Sequence, residues 1–308
     1  MSPDRQRTLR QPVQATGTGL HTGEPVRIRI APAPPDTGIV FRRGDLAAPH
    51  DIPARIDYVA GSSRATTLER EGQRVGTVEH LLAAFVGLGV DNALVEVFGP
   101  EVPIMDGSAG AFVFLLQAAG IVEQAVPRRV LEIREPVEVR DGDRLARLEP
   151  GPGLEIVFEI EYDHPLARGE RARAAVVVAP PAFVAEIARA RTFGFAHELE
   201  TLRAARLIRG GTLGRALLLD DRGVVNPEGL RWPDELVRHK ILDAIGDLAL
   251  LGLPIRGRYL GRKAGHALNH RLLRAVLEGE GRVVSRVAGS GEAAAGLAAP
   301  PLASAAGF

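Results

Sequence analysis

The chain has 308 residues with 38 Lys plus Arg against 38 Asp plus Glu, so it has no net field to gather a polyanion, and nucleic acid is excluded as a main partner. It contains no cysteine, which excludes disulfides, thiolate nucleophiles and every Cys-containing zinc motif; any metal must sit on His, Asp or Glu. The length exceeds one ordinary domain and predicts two, of roughly 100 to 150 residues each.

The opening MSPDRQRTLRQPVQATG lacks the apolar stretch of a signal peptide. Apolar runs such as LALLGLP and AAVVVAPPAFVA are too short, or too broken by Pro, to cross about 30 Å of hydrocarbon. A cytoplasmic monomer without stable membrane insertion is expected. GTGLHTGEP has glycines but not the GxxxxGK[ST] spacing of a phosphate loop, and reads as a tight turn that brings Leu20 to a site border, with His21 not chosen as a metal ligand. PVRIRIAP and NALVEVFGP read as half-buried strands. TVEHLLAAFVGLGV has a helical apolar period and a glycine stop; DGSAGAFVFLLQAAG repeats it with Asp106 or Ser108 as N-cap, and Ser108 lacks the context of a nucleophile elbow. A Pro-containing connection near Val126 to Arg128 sets a boundary, giving domains 1–127 and 128–285. Strands resume there, followed by a helix at PPAFVAEIARARTF, a strand at RALLLDD and a long helix from about Pro233 to Leu251, with Asp234 and Glu235 at its positive end and Gly252 as its stop. Residues 286–308 form an Ala, Gly and Pro tail expected to be disordered. Strands in runs with helices after them make the fold α+β.

The long helix carries HKILDAIGD, which sets His239, Asp243 and Asp247 four residues apart on one stripe. His239 and Asp243 can grip one cation, but a catalytic zinc commonly takes three protein ligands and a water. Glu79-His80 in TVEHLLAAF is the best source of the missing one. His266, in GRKAGHALNH, is a further candidate. His50, His164, His197 and His270 sit in polar or loop-like surroundings and read as mostly solvated.

TVEHLLAAFVGLGVDN, PIMDGSAGAF, ARTFGF, VRHKILDAIGDLALLG and AGHALNH, in this order, resemble the UDP-3-O-acyl-N-acetylglucosamine deacetylase family. The similarity runs from GTGLHTGEPV near the start to HALNHRLLRAV, nearly the whole chain. What it implies is a zinc amidase of lipid A biosynthesis acting on an acylated UDP-amino sugar, Fe²⁺ being a possible metal in the cell. It also implies two domains, each a mostly antiparallel sheet with two helices, the helices packed between the sheets. Residue by residue, the resemblance makes His80, His239 and Asp243 the zinc ligands, Glu79 the general base and His266 the charged partner and general acid. Thr192 falls on an oxyanion-holding hydroxyl, while Lys240 and Asp247 fall on active-site positions, Asp247 placed to orient His266. Leu199, Ile208, Gly211, Thr212 and Ala216 fall on the acyl passage, and Phe193 and Phe195 are expected to flank the sugar and the chain entrance.

Overall fold

The computed structural model describes residues 4–205, 207–279 and 283–288. In the first half β1 (Arg5–Leu9), β2 (Val13–Thr18), β3 (Pro25–Pro32), β4 (Ile39–Arg43) and β5 (Asp51–Pro53) precede a small antiparallel sheet of β6 (Val59–Gly61), β7 (Thr67–Arg70) and β8 (Gln73–Val75). Helix α1 (Glu79–Leu88) then leads to β9 (Ala93–Phe98), which completes a five-stranded sheet in the order β2-β3-β9-β4-β5. The alternation of PVRIRIAP is the cause of its placement: Val26, Ile28 and Ile30 point into the core, while Arg27 and Arg29 point away from it. After α2 (Gly110–Ala119), β10 (Ile121–Pro127) returns to pair antiparallel with β1.

The second half lays down β11 (Arg129–Ile133), β12 (Val137–Asp141), β13 (Arg144–Glu149), β14 (Leu154–Glu159) and β15 (Arg173–Val177). The chain then passes through α3 (Pro180–Ala182), β16 (Phe193–Phe195), α4 (Leu199–Ala204), β17 (Leu217–Asp220), β18 (Gly223–Val224) and α5 (Glu235–Leu248). It returns as β19 (Ile255–Arg262), α6 (His266–Glu278) and β20 (Val283–Val287). β11 to β15 with β19 and β20 build a seven-stranded sheet around β19, which pairs antiparallel with β13 and parallel with β14 and β11, while β16, β17 and β18 form a separate small sheet. Both large sheets are mostly antiparallel, and the architecture is α+β, as expected. The parallel pair β4 and β9 encloses α1 between its strands in sequence, and β14 and β19 likewise enclose α5.

The helices occupy the middle. Helix α2 leans on β2 and α1; α1 packs along α5; α5 and α6 cover β14, β12 and β13. One buried apolar cluster joins Ile28, Val95 and Leu82 from the first half to Ile245, Leu272 and Tyr259 from the second. Where α1 meets α5 the backbones nearly touch: a Cβ on Gly246 would fall 2.0 Å from the Glu79 carbonyl oxygen. Only glycine fits there, and this contact sets the two helices that carry the site against each other.

Several element boundaries differ from expectation. Helix α2 starts at Gly110, with Ala109 at the cap position. Asp106 and Ser108 instead close the preceding turn, Asp106 accepting from the Ser108 N–H and hydroxyl while Ser108 Oγ accepts from the Gly110 N–H. The helix expected over PPAFVAEIARARTF stops at Ile187 after a wide π-turn, because Arg191 N–H and Thr192 N–H are drawn to Glu235 and to the Gly107 carbonyl. Helix α5 begins after Pro233, and Asp234 binds Arg238 rather than capping it; its end passes through a 3₁₀ turn, Ala249–Leu251, to left-handed Gly252. Arg286 and Val287, placed in the tail from sequence, pair in β20 with β11. Residues 289–308 lie outside the described residues. No helix among the described residues is long and apolar enough to cross a membrane.

Candidate active site

Helix α5 presents Glu235, His239, Asp243 and Asp247 at four-residue intervals, and all four are buried. Asp243 Oδ1 stands 3.3 Å from His239 Nε2 and 3.5 Å from His80 Nε2, the latter contributed by α1. The three side chains bring donor atoms within 4.8 Å of one another. His239 Nδ1 lies 3.0 Å from the Ala190 carbonyl, to which it donates, so the lone pair of Nε2 is directed into the cluster. Burial pushes the His239 pKa down to about 4, leaving the neutral imidazole that can ligate a cation. Lys240 Nζ takes the other oxygen of Asp243, at 2.6 Å, and leaves Oδ1 facing the histidines. Burial opposes the Asp243 charge, but His239 and Lys240 outweigh it and hold the carboxyl well below the usual carboxylate range. Two imidazole nitrogens and a carboxylate oxygen, all buried and convergent, are a donor set that fits a zinc-like divalent cation.

Beside this cluster stand Glu79 and His266. Glu79, the first residue of α1, accepts from the Thr66 N–H at 3.1 Å, and its other oxygen is 4.0 Å from His266 Nε2. His266 opens α6 and donates Nδ1–H to Asp247 Oδ2 at 2.8 Å. Burial disfavours the imidazolium, but the Asp247 charge and hydrogen bond overcome it and raise the His266 pKa to about 9. Asp247 has no exposed surface. Burial would raise its pKa, yet His266 above all holds it far below the carboxylate range. Asn269 Nδ2 donates to the same carboxylate at 2.7 Å, its orientation fixed by the Tyr259 hydroxyl donating to Asn269 Oδ1 at 2.6 Å.

A cavity of about 780 Å³ opens over these groups. Thr192, Lys240, His239, Asp243 and His266 are among its lining residues. Phe193 and Phe195 also line it, with Tyr162 packed on both at 5.6 and 5.3 Å between ring centres. Leu199, Ile208, Gly211, Thr212, Ala216 and Leu20 line it too, so the residues named from sequence for the passage share one space. Leu20 arrives on the Gly19–Glu24 turn, which hydrogen-bonds to the 209–210 backbone. The PIMDGSAG segment backs Thr192, whose N–H donates to the Gly107 carbonyl.

Other residues of the site escaped sequence reasoning. His270, expected to be solvated, is buried one turn after His266, with Nε2 3.3 Å from Asp247 Oδ1; its i, i+4 relation to His266 was the available signal. His164 is also buried, donating Nε2–H to the Asp220 carbonyl and accepting at Nδ1 from the Leu166 N–H. His197, by contrast, is exposed and His50 half-exposed. Buried Glu101 holds the Leu20 turn to the start of α1, accepting from Thr22 N–H and Oγ1 and from Thr77 Oγ1. Arg191 forms a buried ion pair with Glu235 at 2.9 Å and so clamps the segment bearing Ala190 and Thr192 onto the first turn of α5. Arg64, Arg144 and Arg271 place cations around the cavity.

Residues 6–278 match the family model for UDP-3-O-acyl N-acetylglycosamine deacetylase. The chain belongs to this family. Curated UDP-3-O-acyl-N-acetylglucosamine deacetylases resemble it over most of their length. That of Thioalkalivibrio sulfidiphilus is 52% identical over 276 residues, covering 90% of this chain and 91% of the relative. The proteins of Methylococcus capsulatus, 52% identical over 269 residues (87% and 88% covered), and Saccharophagus degradans, 50% identical over 276 (90% and 91%), agree. As a member of the deacetylase family the chain is an amide hydrolase. The family match ends at residue 278, the last residue of α6, so it spans every element that supplies a side chain to the cluster and cavity.

Proposed function

We propose that the chain removes acetate from UDP-3-O-[(3R)-3-hydroxyacyl]-N-acetylglucosamine and leaves the free 2-amine, the committed step of lipid A synthesis. The observation that carries this reading is the convergence of a His, His, Asp donor set and a facing Glu79–His266 pair, with His239, Asp243 and His266 lining one large cavity. His80, His239 and Asp243 would hold Zn²⁺, and the same N and O donors could equally take Fe²⁺. When bound, the ion supplies Lewis-acid chemistry, making water more acidic and drawing charge onto the acetamide oxygen.

The side chains do the rest. Glu79, anchored by the Thr66 N–H, takes the proton of the attacking water. Negative charge then develops on the carbonyl oxygen, where the Thr192 hydroxyl donates and Lys240 adds a positive field. His266, charged at neutral pH and held through Nδ1 by Asp247, gives its Nε2 proton to the departing nitrogen, since an amine leaves poorly unless protonated. Phe193 and Phe195 flank the sugar, and Leu199, Ile208, Gly211, Thr212 and Ala216 take the acyl chain. Arg144 and Arg271 face the diphosphate. Residues 1–127 and 128–285 act as two domains of one cytoplasmic monomer, the first giving Glu79 and His80 and the second Thr192, His239, Asp243 and His266.

The test is anaerobic purification with metal analysis, paired with acetate release from the UDP-sugar with and without its 3-O-acyl chain. One bound divalent ion per chain and much faster turnover of the acylated sugar are expected. Equal turnover of the two sugars would point to an amidohydrolase for a different amino sugar. No metal uptake and no acetate release after zinc addition would favour a binding protein, a reading that the intact Glu79, His80, His239, Asp243 and His266 oppose.

A further inference from the structure

Thr66 lies between β6 and β7 in the first half of the chain, is wholly buried, and touches both halves of the acid and base machinery. Its N–H donates to Glu79 Oε2 at 3.1 Å, and its carbonyl accepts from Val78 N–H just ahead of α1. Its hydroxyl donates to Asp247 Oδ1 at 2.7 Å, across 181 positions of sequence. His270 Nε2 stands 3.1 Å from the same hydroxyl oxygen and 3.3 Å from Asp247 Oδ1.

The donors and acceptors fix every proton here. Asp247 is ionised and only accepts. The single Thr66 hydroxyl proton is committed to Asp247, so the Thr66 oxygen faces His270 with a lone pair. His270 therefore carries its proton on Nε2, shared between two acceptors. Asp247 Oδ1 is thus held by Thr66 and His270, while Oδ2 is held by Asn269 and His266. With both oxygens pinned the carboxylate plane cannot swivel, and the His266 ring bonded to it has one orientation toward Glu79.

We propose that Thr66 and His270 are positioning residues for this reaction: the Thr66 hydroxyl, backed by His270 Nε2–H, locks the Asp247 carboxylate and through it sets His266 against Glu79. This deepens the reading of Glu79 as base and His266 as acid, and rests on it. Neither residue is among those lining the cavity, so both act on turnover rather than affinity.

The experiment uses the full-length, zinc-loaded protein and two readouts, steady-state kinetics and the downfield proton resonance of the His266 Nδ1–H. Thr66→Val keeps the shape and removes the hydroxyl; Thr66→Ser restores it. Thr66→Val should lower kcat about 10- to 100-fold with KM within about twofold and zinc content unchanged, and should broaden the His266 resonance through faster exchange. Thr66→Ser should recover most of both. Should Thr66→Val fail to fold, His270→Leu against His270→Gln makes the same comparison, because glutamine keeps an N–H where Nε2 stood. Wild-type kcat and resonance in Thr66→Val or His270→Leu, or a serine variant as impaired as the valine one, would overturn the proposal. An inactive wild-type protein would instead refute the deacetylase reading, and the resonance would still decide whether Thr66 and His270 position His266.

Discussion

Replacing Asp247 by Asn tests how the acid is kept charged. Asp247 is the largest influence favouring the His266 imidazolium, and burial is the largest opposing it. Holding His266 at about 9 instead of 6.5 is a preference of roughly 3 kcal/mol for the charged form. At pH 7.5 that leaves about 97% of His266 protonated, against about 9% for an imidazole titrating at 6.5. Asparagine removes the charge and keeps the volume. It also puts an NH₂ group against either Thr66 and His270 or Asn269 and His266, so a donor meets donors. Burial then acts unopposed by Asp247 and drives the His266 pKa down. Since the acid must be protonated, activity is lost as pH rises through its pKa, and a lowered pKa moves the alkaline limb to lower pH. The assay is kcat/KM for acetate release across about pH 5.5 to 10. The alkaline limb should move down by about two pH units or more, with activity at pH 7.5 reduced at least about tenfold. A limb that stays in place while the protein remains folded would refute the argument that Asp247 charges His266.

Glu79→Gln should keep zinc, because the ligands are untouched and the amide oxygen still accepts from the Thr66 N–H, yet kcat should fall about 10²- to 10⁴-fold for want of a base. Metal content measured beside turnover checks this, and near-normal turnover would hand both proton transfers to His266. Gly246→Ala should destabilise the fold by about 1–3 kcal/mol, because its methyl group would lie on the Glu79 carbonyl and part α1 from α5. Denaturant unfolding measures the loss, and a neutral result would mean that the helices separate there at no cost.

The part of the site carried by one helix was legible from its spacing alone: His239, Asp243 and Asp247 share a face because α-helical geometry requires it. The α+β class also followed from the strand runs. His80 was a candidate on chemistry and was assigned through resemblance, since nothing local ties residue 80 to residue 239. Thr66, Glu101 and Arg191 stayed hidden for the same reason. Their side chains find partners 24 to 204 positions away, and a threonine or a glutamate beside a strand looks like any other. His270 was read as solvated because its neighbours are polar, but α6 turns that face inward onto Asp247. The start of α2 moved because Asp106 and Ser108 spend their hydrogen bonds on the turn before it.

The cation donors come from two separate stretches of chain, His80 on a helix of the first half and His239 with Asp243 on a helix of the second. An ion held there is a rivet through the joint between them. Neither stretch alone offers more than two of the donors, so capturing the ion and closing the joint are one thermodynamic event, and each strengthens the other. At a free ion concentration a thousand times the dissociation constant, that linkage adds about 4 kcal/mol to the folded state. Ion supply would then govern how long the joint stays shut, and with it the survival of the protein, as well as its rate of turnover.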